Sequence, residues 1–199
     1  MQLDKIISER HWPHTTLFIP FGSRVYGTAR PDSDDDYLVV FPENDGPSGL
    51  ELALENTNLQ IFTLVEYQTA LDAHQIHALE AYFVPNSPLS ALCSFTLNRA
   101  TLRQALSQKA SHSFVKAKKK IAVEQDYLPG WKSLFHSLRI LVFGIELART
   151  GALTNFAAAN AYWDEIWAAQ ETDWETLKTR WQPVHNALSS EFRKLAPKE

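Results

Sequence analysis

FGSRVYGTARPDSDDDYLVVF, residues 21–41, joins a Gly-Ser turn to two aspartates that are spaced D-x-D at the start of an apolar run. In an extended strand alternate side chains point to the same face, so Asp34 and Asp36 are expected to share one face. Two adjacent carboxylates repel each other unless a cation lies between them. Mg²⁺ suits such a pair, because it is usually held by one or two carboxylates and keeps its other positions for water and phosphates. The pattern therefore indicates nucleotide chemistry.

The turn before the aspartates favours the same chemistry. Gly22 lets backbone N–H groups approach a phosphate closely, and the hydroxyl of Ser23 adds a donor. Apolar strands are predicted on both sides, over residues 17–21 and 37–41. An aspartate-rich loop alone is ordinary turn chemistry. The prediction of a nucleotide site therefore depends on the whole succession of strand, turn, aspartates and strand.

This succession resembles the signature of the DNA polymerase β-like nucleotidyltransferase superfamily. Within that superfamily, GSRVYGTARPDSDDDY, residues 22–37, is most similar to the predicted nucleotidyltransferases of bacteria and their phages. The likeness extends to IHALEAYFVP, residues 76–85, and to KSLFHSLR, residues 132–139. It covers most of the first 150 residues, and its first motif is the diagnostic one.

The resemblance implies an α+β fold in which a small mixed β-sheet is flanked by helices and followed by a helical half. The natural boundary is the VPNSP stretch, because the strand pattern fades after it. We therefore expect a nucleotidyltransferase core over residues 1–88 and a helical domain over residues 89–199, packed over the nucleotide cleft.

The reaction that the resemblance implies is transfer of a nucleoside monophosphate from an NTP to an acceptor hydroxyl, with release of pyrophosphate. In this interpretation Gly22 and Ser23 bind the triphosphate, and Asp34 and Asp36 are catalytic residues that hold Mg²⁺ or Mn²⁺. The acceptor is not identified by any motif: an RNA end, a protein side chain and a small molecule are all accepted within the superfamily.

The superfamily places a third carboxylate on a later strand, and here the sequence departs from the pattern. The corresponding strand is expected within residues 57–67, where the neutral amides of Asn58 and Gln60 stand near the third position. An amide oxygen can ligate a cation but brings no charge and cannot act as a base. Glu55 or Glu66 is the alternative. A nucleotide-binding regulatory protein that transfers poorly, and a purely structural module, therefore stand beside the enzyme as hypotheses.

Several cations are candidate nucleotide-binding residues. Lys132, His136 and Arg139 recur at i, i+4 and i+7, so they share one face of a predicted helix. Lys116 belongs to a basic run that is more often a solvated face, and Arg24 follows the Gly-Ser turn. The alternative for the helical group is a satisfied histidine and a surface ion-pairing arginine.

Periodicity predicts the remaining elements. In the first half it predicts a helix over residues 3–11, a third strand over 59–64 and a helix over 65–77. In the second half Gly151 is predicted to end a helix. Other expectations there are a cap at Asn155, a capping box from Thr172 to Glu175, and a kink or a new helix at Pro183. The tryptophans of this half are interpreted as packing residues of the core or of a homodimer.

Composition excludes several classes of protein. The chain has 199 residues, 45% of them hydrophobic, which is enough for a full core. Cys93 is the single cysteine, so an intramolecular disulfide and a cysteine-based zinc site are excluded. The charged N-terminal stretch and the lack of long apolar runs favour a cytoplasmic protein without membrane segments. A net charge of −4 argues against a general nucleic-acid coat protein.

Overall fold

The computed structural model describes residues 2–43, 46–47 and 49–198, with side chains described from Ile6 onward. The chain forms two compact units. The first, here called the sheet unit, comprises Met1–Asp72 and His77–Phe95; the second, the helical unit, comprises Ala73–Ile76 and Thr96–Glu199. The expected α+β fold, with a mixed sheet in the N-terminal part and a helical C-terminal half, is confirmed.

The sheet has four strands in the order β1-β2-β4-β3. Strand β2 pairs with β1 antiparallel and with β4 parallel, and β4 pairs with β3 antiparallel. The predicted strands before and after the turn and the third predicted strand are confirmed, whereas β3 was not predicted. The bounds are β1 Leu17–Phe21, β2 Asp35–Phe41, β3 Leu50–Leu54 and β4 Thr57–Thr63.

One face of the sheet carries an apolar cluster. Val39 and Phe41 of β2 and Leu59 and Ile61 of β4 pack there with Ile6. Because side chains alternate along a strand, the residues between them point to the opposite face. The parallel register aligns β2 and β4 residue by residue. It thereby places Asp36 and Asn58 side by side on that opposite face.

Five helices accompany the sheet in the chain. The helix predicted over residues 65–77 is wrong as a single element, because the chain breaks at His74, which has φ 53°. The Nε2 atom of this buried histidine accepts a hydrogen bond from the Asn98 N–H at 2.9 Å. The helices are α1 Gln2–Arg10, α2 Ser23–Tyr26, α3 Leu64–Asp72, α4 Ile76–Phe83 and α5 Leu89–Leu92.

The helical unit is built around aromatic side chains. Trp163 and Trp167 stack with ring centroids 5.8 Å apart, and Trp174 and Trp181 are buried in the same cluster. Their interpretation as core packing is confirmed. Its helices are α6 Arg99–Lys118, α7 Tyr127–Thr150, α8 Asn160–Ala169 and α9 Trp174–Leu195, with a π-helical turn over Lys119–Val123.

The predicted helix ends are partly confirmed. Gly151 ends α7 with φ 77°, as predicted, since a glycine adopts this conformation without a steric penalty. The cap at Asn155 is wrong: its Oδ1 accepts the Ala157 N–H at 3.1 Å within a turn, and α8 begins only at Asn160. A local side-chain bond of this kind competes with helix initiation.

The N-cap of the last helix lies one residue later than predicted. Asp173, not Thr172, is the N-cap of α9, and its carboxylate accepts the Thr176 N–H at 2.7 Å. Helix α9 continues through Pro183, so no new helix begins there. Among the residues that the structure describes, no helix combines the length and the apolar character that crossing a membrane requires.

Candidate functional site

The turn between β1 and β2 depends on Gly22. Its backbone has φ 78° and ψ −158°, a region that only glycine adopts readily. A Cβ atom at this position would overlap the Oδ2 atom of Asp36. The absence of a side chain thus lets the backbone lie directly against the carboxylate, which ties the glycine of the motif to its second aspartate.

A single helical turn, α2, follows Gly22. The Gly22 carbonyl accepts hydrogen bonds from the N–H groups of Val25 at 3.1 Å and Tyr26 at 3.2 Å. At the end of the turn, the Tyr26 hydroxyl donates to Oε2 of Glu80 on α4 at 2.6 Å, and both side chains are buried. The turn that carries Ser23 is therefore anchored to the interior of the sheet unit.

Arg24 organises the loop that leads to the aspartates. Its Nη2 donates to the Ser33 carbonyl at 2.7 Å, and its Nε forms an ion pair with Asp35. The Ser33 hydroxyl in turn accepts the Arg30 N–H at 2.9 Å. Asp35 points to the face opposite its two acidic neighbours, so this ion pair holds the loop without occupying the candidate site.

Asp34 and Asp36 meet the side chain of Asn58. Strand register pairs Asp36 with Asn58 directly. The Asn58 amide nitrogen donates to Oδ1 of Asp36 at 3.1 Å and to Oδ2 of Asp34 at 3.3 Å. One amide group therefore reaches both carboxylates, which shows that the D-x-D pair converges as the strand period predicts. Asn58 is thus the residue of β4 that lies against both carboxylates.

The other candidates for the third position have different places. Gln60 pairs with Leu38, one step further along the same face. Glu66 accepts the Thr63 N–H at 3.0 Å while the Thr63 hydroxyl accepts the Glu66 N–H at 3.2 Å, which is the reciprocal pattern of a helix capping box. Glu55 lies exposed in the turn between β3 and β4 with φ 46°.

The donor set available to a divalent cation consists of two carboxylates and one amide. Within the described residues, no group of three or more histidine, cysteine, aspartate or glutamate side chains is arranged to hold a metal ion. Asp34 and Asp36 supply two carboxylates, and a half-turn of the Asn58 amide presents its oxygen in place of its nitrogen. Three oxygen ligands fit a hard cation that leaves its other positions to water and phosphates.

The four predicted cations of the helical unit differ in their surroundings. Lys116 on α6 and Lys132 on α7 are exposed. Arg139 is only 1% exposed, because α7 is buried around most of its circumference. The alternative interpretation of Arg139 as a surface ion-pairing residue is therefore wrong. Its guanidinium lies over the ring of Phe143, 5.0 Å from the centroid.

His136 is held as a neutral base beside Arg139. An Nη2 N–H of Arg139 lies 2.7 Å from the Nδ1 atom of His136, where a neutral ring accepts this hydrogen bond. Burial lowers the pKa of His136 well below its usual range. The positive charges of Arg139, Lys109 and Lys116 lower it further. Of the predicted cations of this unit, His136 and Arg139 are therefore in direct contact, as their spacing on one helix face allows.

A comparison with protein-family models identifies one match. A model described as a nucleotidyltransferase domain matches residues 1–100. The matched span contains all four strands and every residue of the Gly22, Asp34, Asp36 and Asn58 cluster. No curated protein and no solved structure matches the chain.

Proposed function

The chain belongs to the nucleotidyltransferase domain family, and on that premise we propose that it transfers a nucleoside monophosphate from an NTP to an acceptor hydroxyl, releasing pyrophosphate. The observation that carries the proposal is the convergence of Asp34 and Asp36 on one amide, directly beside a glycine that tolerates no side chain. Paired carboxylates at a glycine turn are the arrangement that a metal-bound triphosphate requires. An NTP substrate also favours a cytoplasmic site of action.

The residues of the sheet unit have separate roles in this proposal. Asp34 and Asp36 hold Mg²⁺ or Mn²⁺, and the Asn58 oxygen completes the ligand set after its amide turns. When bound, the cation offsets the charge of the phosphates and favours in-line attack. Gly22 admits the triphosphate to the backbone, and the Ser23 hydroxyl donates to it.

The role that we propose for each cationic residue depends on the groups that surround its side chain. Arg24 was expected to bind the nucleotide, but its guanidinium is engaged with Ser33 and Asp35, so we assign it to positioning the aspartate loop. Lys116 and Lys132 are exposed and remain proposed nucleotide contacts. Arg139 is buried and bonds to the half-buried His136, so we assign this pair to the packing of the helical unit instead.

One observation favours a second candidate function. Asn58 stands where a carboxylate would complete a two-metal site, and its amide brings no charge. A site with two carboxylates binds a cation-nucleotide complex but is poorly equipped to activate an acceptor hydroxyl. The second candidate is therefore a regulatory protein on the same scaffold, which binds nucleotide and acts through a partner.

A transfer assay distinguishes the two functions. Purified protein is incubated with each α-labelled NTP, Mg²⁺ or Mn²⁺, and a cell extract that supplies RNA, proteins and metabolites. Label is expected to move to an acceptor with the native chain and not with the Asp34→Asn/Asp36→Asn variant. Asp32→Asn is the matched control, because Asp32 belongs to the same loop and its side chain is 69% exposed.

Each outcome has a consequence. If the Asp34→Asn/Asp36→Asn variant still transfers label, the assignment of these aspartates to the catalytic site is wrong. If the native chain transfers nothing, but calorimetry detects nucleotide binding that needs the cation and both aspartates, the regulatory function replaces the enzymatic one. Absence of both transfer and binding contradicts both functions.

A further inference from the structure

Charge is distributed unevenly along the chain. Residues 1–95 contain 4 lysines and arginines against 13 aspartates and glutamates, whereas residues 96–199 contain 15 against 10. Such asymmetry indicates that the basic part meets an anionic partner. The net charge of −4 conceals this difference. The cations relevant to such a partner are therefore the unneutralised ones of the helical unit.

They gather in a groove between α6 and the end of the chain. This cavity of about 830 Å³ is lined by Arg103 of α6, Arg193 of α9 and Lys198, together with hydroxyl and amide side chains. An Nη1 N–H of Arg103 donates to the Ala196 carbonyl at 3.5 Å. Arg193 and Lys198 are exposed.

A second groove continues from the first. It has a volume of about 380 Å³ and shares Thr101 and Gln104 with its neighbour. Lys109 and His112 lie at its far end on α6. At a rise of 1.5 Å per residue, Thr101 and His112 are about 17 Å apart along the helix. The two cavities, here called the basic groove, are together too long for a single phosphate group.

The lining of the basic groove selects among anions. No aspartate, glutamate, phenylalanine, tyrosine or tryptophan lines it within residues 2–43, 46–47 and 49–198. Over the same residues no ion pair neutralises Arg103, Arg193 or Lys198. Because His112 is the one aromatic ring among the described residues of this lining, binding depends mainly on the phosphate backbone. Guanidinium and hydroxyl donors are the groups that commonly contact phosphate oxygens.

We propose that the basic groove binds the phosphate backbone of a single-stranded nucleic acid without regard to its sequence. Its open polar lining, its length and its unneutralised cations support a strand. That this strand is the acceptor of the transferred nucleotide rests on the proposed function. The binding itself does not, because every residue that carries it belongs to the helical unit.

The test is fluorescence anisotropy with the full chain and labelled single strands of about 12 nucleotides, RNA and DNA of one sequence. The native chain is expected to bind both, more weakly as salt increases. The Arg193→Gln/Lys198→Gln variant is expected to bind about tenfold more weakly. Because each phosphate contact contributes about 0.7 to the slope of log K against log salt, its slope should fall by about 1.4.

A matched control is available on α9. Lys178→Gln/Lys194→Gln removes the same charge from exposed positions outside the groove, and we expect binding within about twofold of the native chain. The proposal is overturned if the native chain binds neither strand, or if the control variant loses as much affinity. It is also overturned if inorganic phosphate competes with the labelled strand as effectively as an unlabelled strand does. That result would identify a site for a single anion.

The outcomes separate this inference from the proposed function. Nucleotide transfer by a chain that binds no strand refutes the groove and leaves the transferase intact. Strand binding with the expected loss in Arg193→Gln/Lys198→Gln confirms the groove even if the transfer assay is negative.

Discussion

The two units of this molecule use their polar side chains in opposite ways. In the sheet unit Asp34, Asp36 and Asn58 lie at strand ends, partly accessible, and bond to one another. In the helical unit Arg139 is buried by helix packing and covered by an aromatic ring, and it bonds to the half-buried His136.

This difference shows how polar side chains that bind a ligand can be distinguished from polar side chains that pack. Like charges held together at an accessible edge are costly unless a ligand offsets them. A buried cation beside a neutral acceptor and an aromatic ring is already satisfied. Exposure and partner chemistry, more than residue type, therefore assign function to the sheet unit and structure to the interior of the helical unit.

The largest effect is expected from Gly22→Ala. A Cβ atom at this position would overlap Asp36, and the backbone conformation of Gly22 disfavours any side chain. The rate of transfer should therefore fall at least about a hundredfold. The free energy of unfolding should fall by about 2 kcal/mol. Label transfer and urea unfolding measure the two effects. Gly151→Ala is the control, because it has φ 77° with no atom near the added Cβ. Transfer by Gly22→Ala at the native rate would contradict the placement of the binding site at this glycine of the sheet unit.

Next in size is Arg139→Ala. Loss of a buried side chain and its contact with Phe143 should lower the unfolding free energy by about 2–4 kcal/mol, measured by urea denaturation. Lys132→Ala, on the same helix but exposed, should change it by less than about 0.5 kcal/mol. An Arg139 variant that keeps its stability but shows a raised KM for NTP would place this residue in binding instead of packing.

A smaller effect is expected from Asn58→Asp. The substitution removes two donated hydrogen bonds and adds a third carboxylate, so it should cost about 1–2 kcal/mol of stability without a cation. Mg²⁺ or Mn²⁺ should then raise Tm more than it does in the native chain. Gln60→Glu, two residues along the same face, is the control. Equal cation responses in both variants would show that Asn58 is not at the cation site.

The smallest effect concerns pH. Burial lowers the pKa values of both His136 and His185, so the unfolded chain, with histidine pKa near 6.5, binds more protons than the folded one in acid. Stability should therefore decrease from pH 7 to pH 6, by at most about 0.7 kcal/mol for each histidine. Urea unfolding at the two pH values measures it.

His185→Gln should remove its share of this pH dependence. Within the described residues the Nε2 atom of His185 has no hydrogen-bond partner, which is consistent with a neutral buried ring. A stability that rises on acidification would mean that the enclosed histidines are charged in the folded state.

Much of the sheet unit was predictable, because its signals are local. The turn at Gly22 and both flanking strands follow from residue types that are adjacent in the chain. Strand β3 was missed because its short LELAL sequence pairs only with β4 and has mostly exposed or half-buried side chains. The helix break at His74 was missed because neither glycine nor proline marks it.

The helical unit was less predictable in detail. The observed N-caps of α8 and α9 lie one to several residues after the predicted ones. Asn155 and Thr172 can each form several local hydrogen bonds, and a sequence pattern does not show which of these forms. The burial of Arg139 was unexpected, because its spacing with Lys132 and His136 predicted a nucleotide contact, with a surface ion-pairing residue as the alternative. Enclosure of α7 on most sides is a property of the neighbouring helices, which the sequence of α7 does not contain.

The sequence alone determined that Asp34 and Asp36 share a face, because the period of a strand is a local property of the backbone. Only the tertiary structure decided that Asn58 completes their cluster, since the register between β2 and β4 depends on contacts between residues far apart in the chain. The same holds for the basic groove. Arg103 and Arg193 are 90 positions apart in the sequence, and packing of the helical unit brings them to one cavity.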